Sequence, residues 1–160
     1  MKVKFQGREK YNAIAKRILA ELENPRSEYT KGMYEIAVDG VIKRTRSGVD
    51  VAGMKFKPYS KEYAKRKGRQ WANLTDSGKL MSHAGFEFQV MRGQNKVVIR
   101  IYIPGQHHSG DIDHYTLGYT HNFGMGHAPQ REFMGLDQKI TDALMAFSKE
   151  KWRELFNLLK

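Results

Sequence analysis

Apolar residues return at helical spacing twice near the start of the chain. Tyr11, Ile14, Ala15, Ile18, Leu19 and Leu22 recur between Arg8 and Glu23, with Lys10, Lys16, Arg17 and Glu21 on the rest of the wheel. That is the pattern of an amphipathic helix. Asn24-Pro25 ends it and opens the next helix, with Asn24 as the expected cap and Pro25 at the first helical position. The second helix runs to about Arg44 on a stripe of Tyr29, Met33, Ile36, Ala37 and Val41. Gly32 and Gly40 within it either weaken it or admit a closely packed neighbour. Together the two make a helical hairpin over residues 8–44. Burying a large apolar side chain is worth ~1.5–3 kcal/mol, whereas ordering each backbone residue costs ~1–2 kcal/mol. The pair therefore needs a sheet or a neighbouring subunit to cover it.

The period then lapses. Residues 45–73 contain Gly48, Gly53, Pro58 and Gly68 and predict an extended loop, with one short helical turn at Lys61 to Lys67. Compact domains seldom hold so long a connection unless it is functional or orders on binding. In Leu74-Thr75-Asp76-Ser77-Gly78-Lys79-Leu80, Thr75 or Asp76 can cap a helical turn that buries Leu74, Leu80 and Met81. Alternation follows. Phe86, Phe88 and Val90 alternate with polar residues over Gly85 to Met91, as do Val97, Ile99, Ile101 and Ile103 over Lys96 to Ile103. Two strands joined by a tight hairpin at Arg92 to Asn95 result, ending at Pro104-Gly105.

A short helix or strand through Tyr115, Leu117 and Tyr119 leads into a glycine-rich hinge, Tyr119 to Leu136. Sheet and hinge together occupy residues 74–136. In the hinge, His121 and Phe123 are expected to help close the core, Gly124 and Gly126 to permit a turn, and Pro129 with Phe133 to set up the last helix. Arg131 is expected to pair with a carboxylate or with backbone carbonyls at a subunit boundary, because a buried guanidinium is costly otherwise. Asp137 can cap a C-terminal helix over residues 137–159, on a stripe of Ile140, Leu144, Phe147, Trp152, Leu155, Phe156 and Leu159. The expected fold class is α+β in a single domain, residues 1–160, without internal repeats or low-complexity segments.

Composition narrows the chemistry. With 40% apolar residues the chain can bury a core, and it has no cysteine, which removes disulfides, thiolate catalysis and Cys-ligated zinc. No apolar run approaches the ~20 residues that span a bilayer, and the first residues lack the apolar middle of a signal peptide. The expectation is a soluble, unexported protein that makes no membrane contact. Charge is concentrated between Val41 and Gln70, where ten lysines and arginines face only Asp50 and Glu62, leaving +8 of the chain's formal +11. Phe56, Tyr59, Tyr63 and Trp71 are interleaved with those cations. The combination suits unpaired nucleic acid, through stacking and phosphate neutralisation over residues 43–71. It suits an acidic protein face equally.

Two enzymatic readings carry less weight. His107, His108, Asp111, Asp113 and His114, with His121 and His127 beyond, offer ligands for zinc or manganese and hence a metal-dependent nuclease using residues 107–114. A solvated loop accounts for the same residues, and His-Glu-x-x-His is absent. Ser77-Gly78 lacks the nucleophile-elbow pattern. Neither a Walker loop nor a dinucleotide fingerprint occurs.

Three separated pieces form an ordered pattern: Gly53-Met-Lys-Phe-Lys-Pro-Tyr-Ser60, Leu74-Thr-Asp-Ser-Gly-Lys-Leu80, and His121-Asn-Phe-Gly124 leading to Pro129-Gln-Arg-Glu-Phe-Met-Gly-Leu136. The pattern resembles the phage virion morphogenesis family, the tail-completion and head-tail joining proteins of tailed phages and Mu-like prophages. The resemblance spans roughly Val49 to Phe147. It implies a non-enzymatic virion component of the neck or tail, assembled in the host cytoplasm, with no cofactor, no metal and no catalytic residue. It further implies a homo-oligomeric ring, a hexamer by analogy with the family, that meets other neck and tail proteins. The residues it marks for assembly are Phe56, Pro58, Leu74, Gly78, Leu80, His121, Phe123, Gly124, Pro129, Arg131 and Phe133. Lys55, Lys57, Lys61, Lys65, Arg66, Lys67 and Arg69 would face DNA in the channel or an acidic partner ring.

Overall fold

The computed structural model describes residues 7–24, 26–75, 78–93, 96–104 and 113–157. Among these the chain forms five α-helices and one antiparallel pair of strands, an α+β arrangement. The first two helices, α1 (Arg8–Glu23) and α2 (Glu28–Arg46), fall where the periodicity puts them. Their junction differs from expectation. Ser27, not Asn24, caps α2, its hydroxyl accepting from the Thr30 N–H at 3.1 Å. Asn24 instead closes α1, donating to the Ala20 carbonyl, while its side-chain oxygen accepts from the Arg26 N–H at 2.9 Å. An Asx-type turn has won over the cap, because it satisfies a backbone donor before the new helix begins.

Helix α2 is the centre of the core. Ala37, Val38, Val41 and Ile42 pack with Phe56, Ala72, Leu74, Leu80, Met81, Phe86, Ile103, Phe133 and Ile140. The last helix, α5 (Gln138–Asn157), runs antiparallel to α2: Gly40 lies against Ile140 and Gly32 against Phe147, and a Cβ at either glycine would overlap the side chain opposite. The two glycines therefore permit close helix contact rather than merely weakening α2. Tyr29 adds a hydrogen bond to Ser148 at 3.1 Å and a ring contact with Phe147 at 5.9 Å. Helix α1 is covered less than its stripe predicts. Ile14 alone is buried, while Tyr11 and Leu19 are 69% and 39% exposed.

Residues 45–73 are folded, not a solvated loop. Val49 bridges Lys55, the Phe56 N–H donates to Gly48, the Val51 N–H donates to Glu132, and the Tyr59 N–H donates to Gln70. Helix α3 (Lys61–Lys67) stands where the short turn was expected, capped by Ser60 and closed by Gly68 at φ 67°. Arg44 and Arg46, part of the basic run, are engaged within the chain itself. Arg46 donates to the Met81 carbonyl at 2.8 Å. Arg44 is buried, donating to the Phe133 and Gly135 carbonyls at 2.6 and 3.0 Å and pairing with Asp137 at 3.0 Å.

Leu74, Leu80 and Met81 are buried as expected, but the described part of the stretch is a turn. Thr75 donates its N–H and its hydroxyl to Asn73, and Gly78 has φ 79°. Thr75 caps no helix among the described residues; the alternative cap, Asp76, lies outside them. Strands β1 (Glu87–Arg92) and β2 (Val97–Tyr102) pair in the expected antiparallel hairpin, with Phe88 opposite Ile101 and Val90 opposite Ile99. Tyr34 of α2 stacks on Phe88 at 4.8 Å and donates to the Phe86 carbonyl at 2.9 Å, seating the hairpin on the helix. The ambiguous segment after it is helix α4 (His114–Phe123). No helix of the described residues is long and apolar enough to cross a membrane.

Gly40→Ala gains helix propensity of about 1 kcal/mol yet meets Ile140, so it should destabilise the fold by about 1–2 kcal/mol net. Urea denaturation measures this, and Ile140→Val in the same chain should recover part of the loss. Asp137→Ala removes both the α5 cap and the partner of Arg44, with an expected loss of about 3 kcal/mol. Asp137→Asn keeps a capping oxygen and should retain about 1 kcal/mol of that. Equal losses in the two variants would show that the cap contributes nothing.

Candidate functional site

Between α3, α4 and the hinge lies a cavity of about 610 Å³, lined by Pro58, Tyr59, Ser60, Tyr63, Leu74, Thr75, Gly78, Leu80, His114, Leu117, His121, His127, Ala128, Pro129 and Arg131. Helical spacing turns His114, Leu117 and His121 of α4 toward it, while Gly118 and Asn122 face the core. Gly118 is small because Ile103 occupies the space where its Cβ would stand. Beyond α4 the chain doubles back: Gly124 takes φ 71° and its missing Cβ leaves room for the Gln130 backbone. This return lets the Arg131 N–H donate to the His121 carbonyl at 2.7 Å.

Arg131 is 3% exposed. Its Nε and Nη2 donate to the Lys57 carbonyl at 3.3 and 3.2 Å, and its guanidinium lies 5.3 Å from the centre of the Tyr59 ring. Nη1 stands 3.5 Å from His121 Nδ1, a long contact that requires this nitrogen to be unprotonated. Pairing with a backbone carbonyl is therefore as expected, with the partner lying in the same chain. Burial, and then the charge of Arg131, push the His121 pKa below its ordinary value. Burial likewise lowers the pKa of Arg131 itself.

The cation and ring contacts continue outward. Tyr59 meets Tyr63 edge-to-face at 4.7 Å, and Arg66 and Lys67 stand over the Tyr63 ring at 4.8 and 5.7 Å. Burial and the neighbouring charges of Arg69 and Arg66 lower the pKa of Lys67. Lys55, Lys57, Lys61 and Lys65 are exposed. The basic residues thus form a surface on α3 and its flanks that adjoins the cavity.

The structure gathers the residues singled out by the resemblance. Pro58, Leu74, Gly78, Leu80, His121, Pro129 and Arg131 share the cavity wall, with Phe56 and Phe133 buried behind them. Phe123 departs from this: it is 56% exposed and closes nothing. It continues a ladder of exposed rings along one face of α4, Tyr115 to Tyr119 at 5.9 Å and Tyr119 to Phe123 at 4.5 Å. Its helix position, one step beyond buried Asn122, turns it away from the core. Asn122 does the work assigned to Phe123, its side-chain oxygen accepting from the Phe133 and Met134 N–H groups at 3.0 and 2.9 Å. A short amide between a histidine and a phenylalanine in an aromatic hinge is the only sequence signal for it.

His107, His108 and Asp111 lie outside the described residues. Asp113 caps α4, accepting from the Thr116 N–H at 2.6 Å, and His114 is buried at the cavity. Among the described residues no group of three or more His, Asp or Glu is placed to hold a metal ion.

Because the folded pKa of His121 is depressed, the unfolded chain binds its proton more readily. The stability it contributes is complete above about pH 6.5 and is lost as pH falls from there through the folded value. Arg131→Met should move the His121 titration, followed by imidazole NMR, upward but leave it below the ordinary value, since burial is the larger cause. The fall in stability between about pH 7 and pH 5 should become shallower in that variant. An unmoved titration would show that the two side chains do not interact.

No protein-family model, curated protein or solved structure matches this chain.

Proposed function

We propose that the chain is a structural, non-enzymatic virion protein of a tailed phage, a subunit of a ring at the neck or tail end that completes the tail and joins it to the head. The class of protein rests on the resemblance carried by residues 53–60, 74–80 and 121–136. The observation that supports assembly is the aromatic ladder on α4. Tyr115, Tyr119 and Phe123 present three large rings to solvent in one row, with exposed Met125 just beyond. A contiguous apolar surface of this kind marks an interaction site more often than a solvated face. In a ring each subunit applies one face to an unlike face of its neighbour. The exposed Tyr11 and Leu19 of α1 offer a second apolar face of the same kind. Lys61, Lys65 and Arg66 on α3 would then meet DNA in the channel or an acidic face of an adjacent ring.

The ladder is exposed, so Tyr119→Lys combined with Phe123→Glu should leave the fold intact by circular dichroism. The variant should fail to form the ring seen by electron microscopy of the wild-type assembly and should not restore joining to heads and tails made without this chain. Normal joining by the folded double variant would sink the reading.

A further inference from the structure

The two buried arginines differ in one respect. Arg44 has a carboxylate partner in Asp137 at 3.0 Å. Arg131 has a carbonyl, an imidazole nitrogen and a ring face, and the described lining of its cavity contains no Asp or Glu. Taking a guanidinium out of water without a counter-charge is unfavourable, and a carbonyl dipole offsets only part of that. Lys57 and His121 account for three of its five N–H groups, which leaves one N–H on each of Nη1 and Nη2 beyond those bonds.

Phosphate suits the site better than carboxylate. The sequence of contacts from Arg131 to Tyr59, Tyr63 and then Arg66 carries positive charge from the cavity wall to the surface of α3. A single carboxylate would leave those outer cations unmatched, whereas a phosphodiester chain brings one charge per nucleotide. The volume, about 610 Å³, is of the size that holds small organic ligands and leaves room for a sugar and base beside a phosphoryl group. Tyr59, Tyr63 and Leu117 supply aromatic and aliphatic wall for a base.

We infer that this cavity binds one nucleotide unit of a single-stranded nucleic acid, its phosphoryl oxygens on Arg131 and the adjoining strand along the cations of α3. The inference goes beyond ring assembly and is independent of it, since the site lies within one chain. It also differs from general attraction of nucleic acid to the basic surface, because it assigns a buried receptor.

The first arm uses the wild-type chain alone. Thymidine 5′-monophosphate should shift the NMR resonances of His121 and Tyr59, and thymidine without phosphate should not. The second arm measures fluorescence anisotropy of a labelled oligothymidylate. Arg131→Lys, which keeps the charge and loses the fork, should weaken binding by about tenfold. Lys61→Gln with Lys65→Gln should reduce the salt slope by about 0.7 per lost phosphate contact. Three results would each overturn the inference: unmoved His121 and Tyr59 resonances, full affinity in Arg131→Lys, or displacement of the oligonucleotide by oligoglutamate as readily as by unlabelled oligothymidylate. If the monophosphate binds as tightly as the strand, the strand along α3 is wrong.

Discussion

The contact between Arg44 and Asp137 joins the end of α2 to the hinge and to the start of α5. One guanidinium near the end of α2 holds the carbonyls of Phe133 and Gly135 and the carboxylate of Asp137. The other oxygen of that carboxylate accepts from the Ile140 N–H and starts α5. This backbone hydrogen bond, followed by the bond and charge from Arg44, holds the Asp137 pKa below its usual value. The end of one helix, the hinge and the start of another therefore meet at one pair of side chains. Since Ile140, three residues after Asp137, fills the space left by Gly40, the polar clamp also sets the register of the apolar contact.

From this clamp the hinge reaches back to α4 through Asn122, which holds the Phe133 and Met134 N–H groups. Phe133 is thereby fixed at the centre of the core, fully buried, and Arg131 two residues earlier is turned to the other side, against Lys57 and His121. Regular strand alternation would put residues two apart on the same side, so the opposite surroundings of this pair reflect an irregular backbone over residues 131–133, which belong to no strand. The cavity and the core are consequently two sides of one short segment. A change that loosens the hinge would alter both.

Much of this was legible beforehand because it depends on local pattern. Helices α1, α2 and α5 follow apolar spacing, and the hairpin follows alternation bracketed by turn residues. The cap at Asp137 follows from the chemistry of a short carboxylate before a helical run. Other readings failed where two local solutions compete. Asn24 can cap a helix or close a turn, and the turn prevailed because Ser27 supplied the cap. Phe123 is as apolar as Phe133, yet helix geometry exposes one and the hinge buries the other.

What the sequence by itself determined is the set of elements, the concentration of cations between Val41 and Gln70, and the glycines needed where the chain turns or crowds. Only the tertiary structure decided which of those cations belong to the fold and which face outward. Arg44 is buried, Arg46 is tied to Met81, and Lys61 and Lys65 remain exposed; in the hinge, Arg131 is buried as well. The physical reason is that a guanidinium or ammonium is chemically the same group at every position. Its role depends on the carbonyls, carboxylates and rings brought beside it from distant segments, such as Asp137 for Arg44 and Lys57 for Arg131. Periodicity contains no information about partners separated by scores of residues, and close packing around α2 creates those partners.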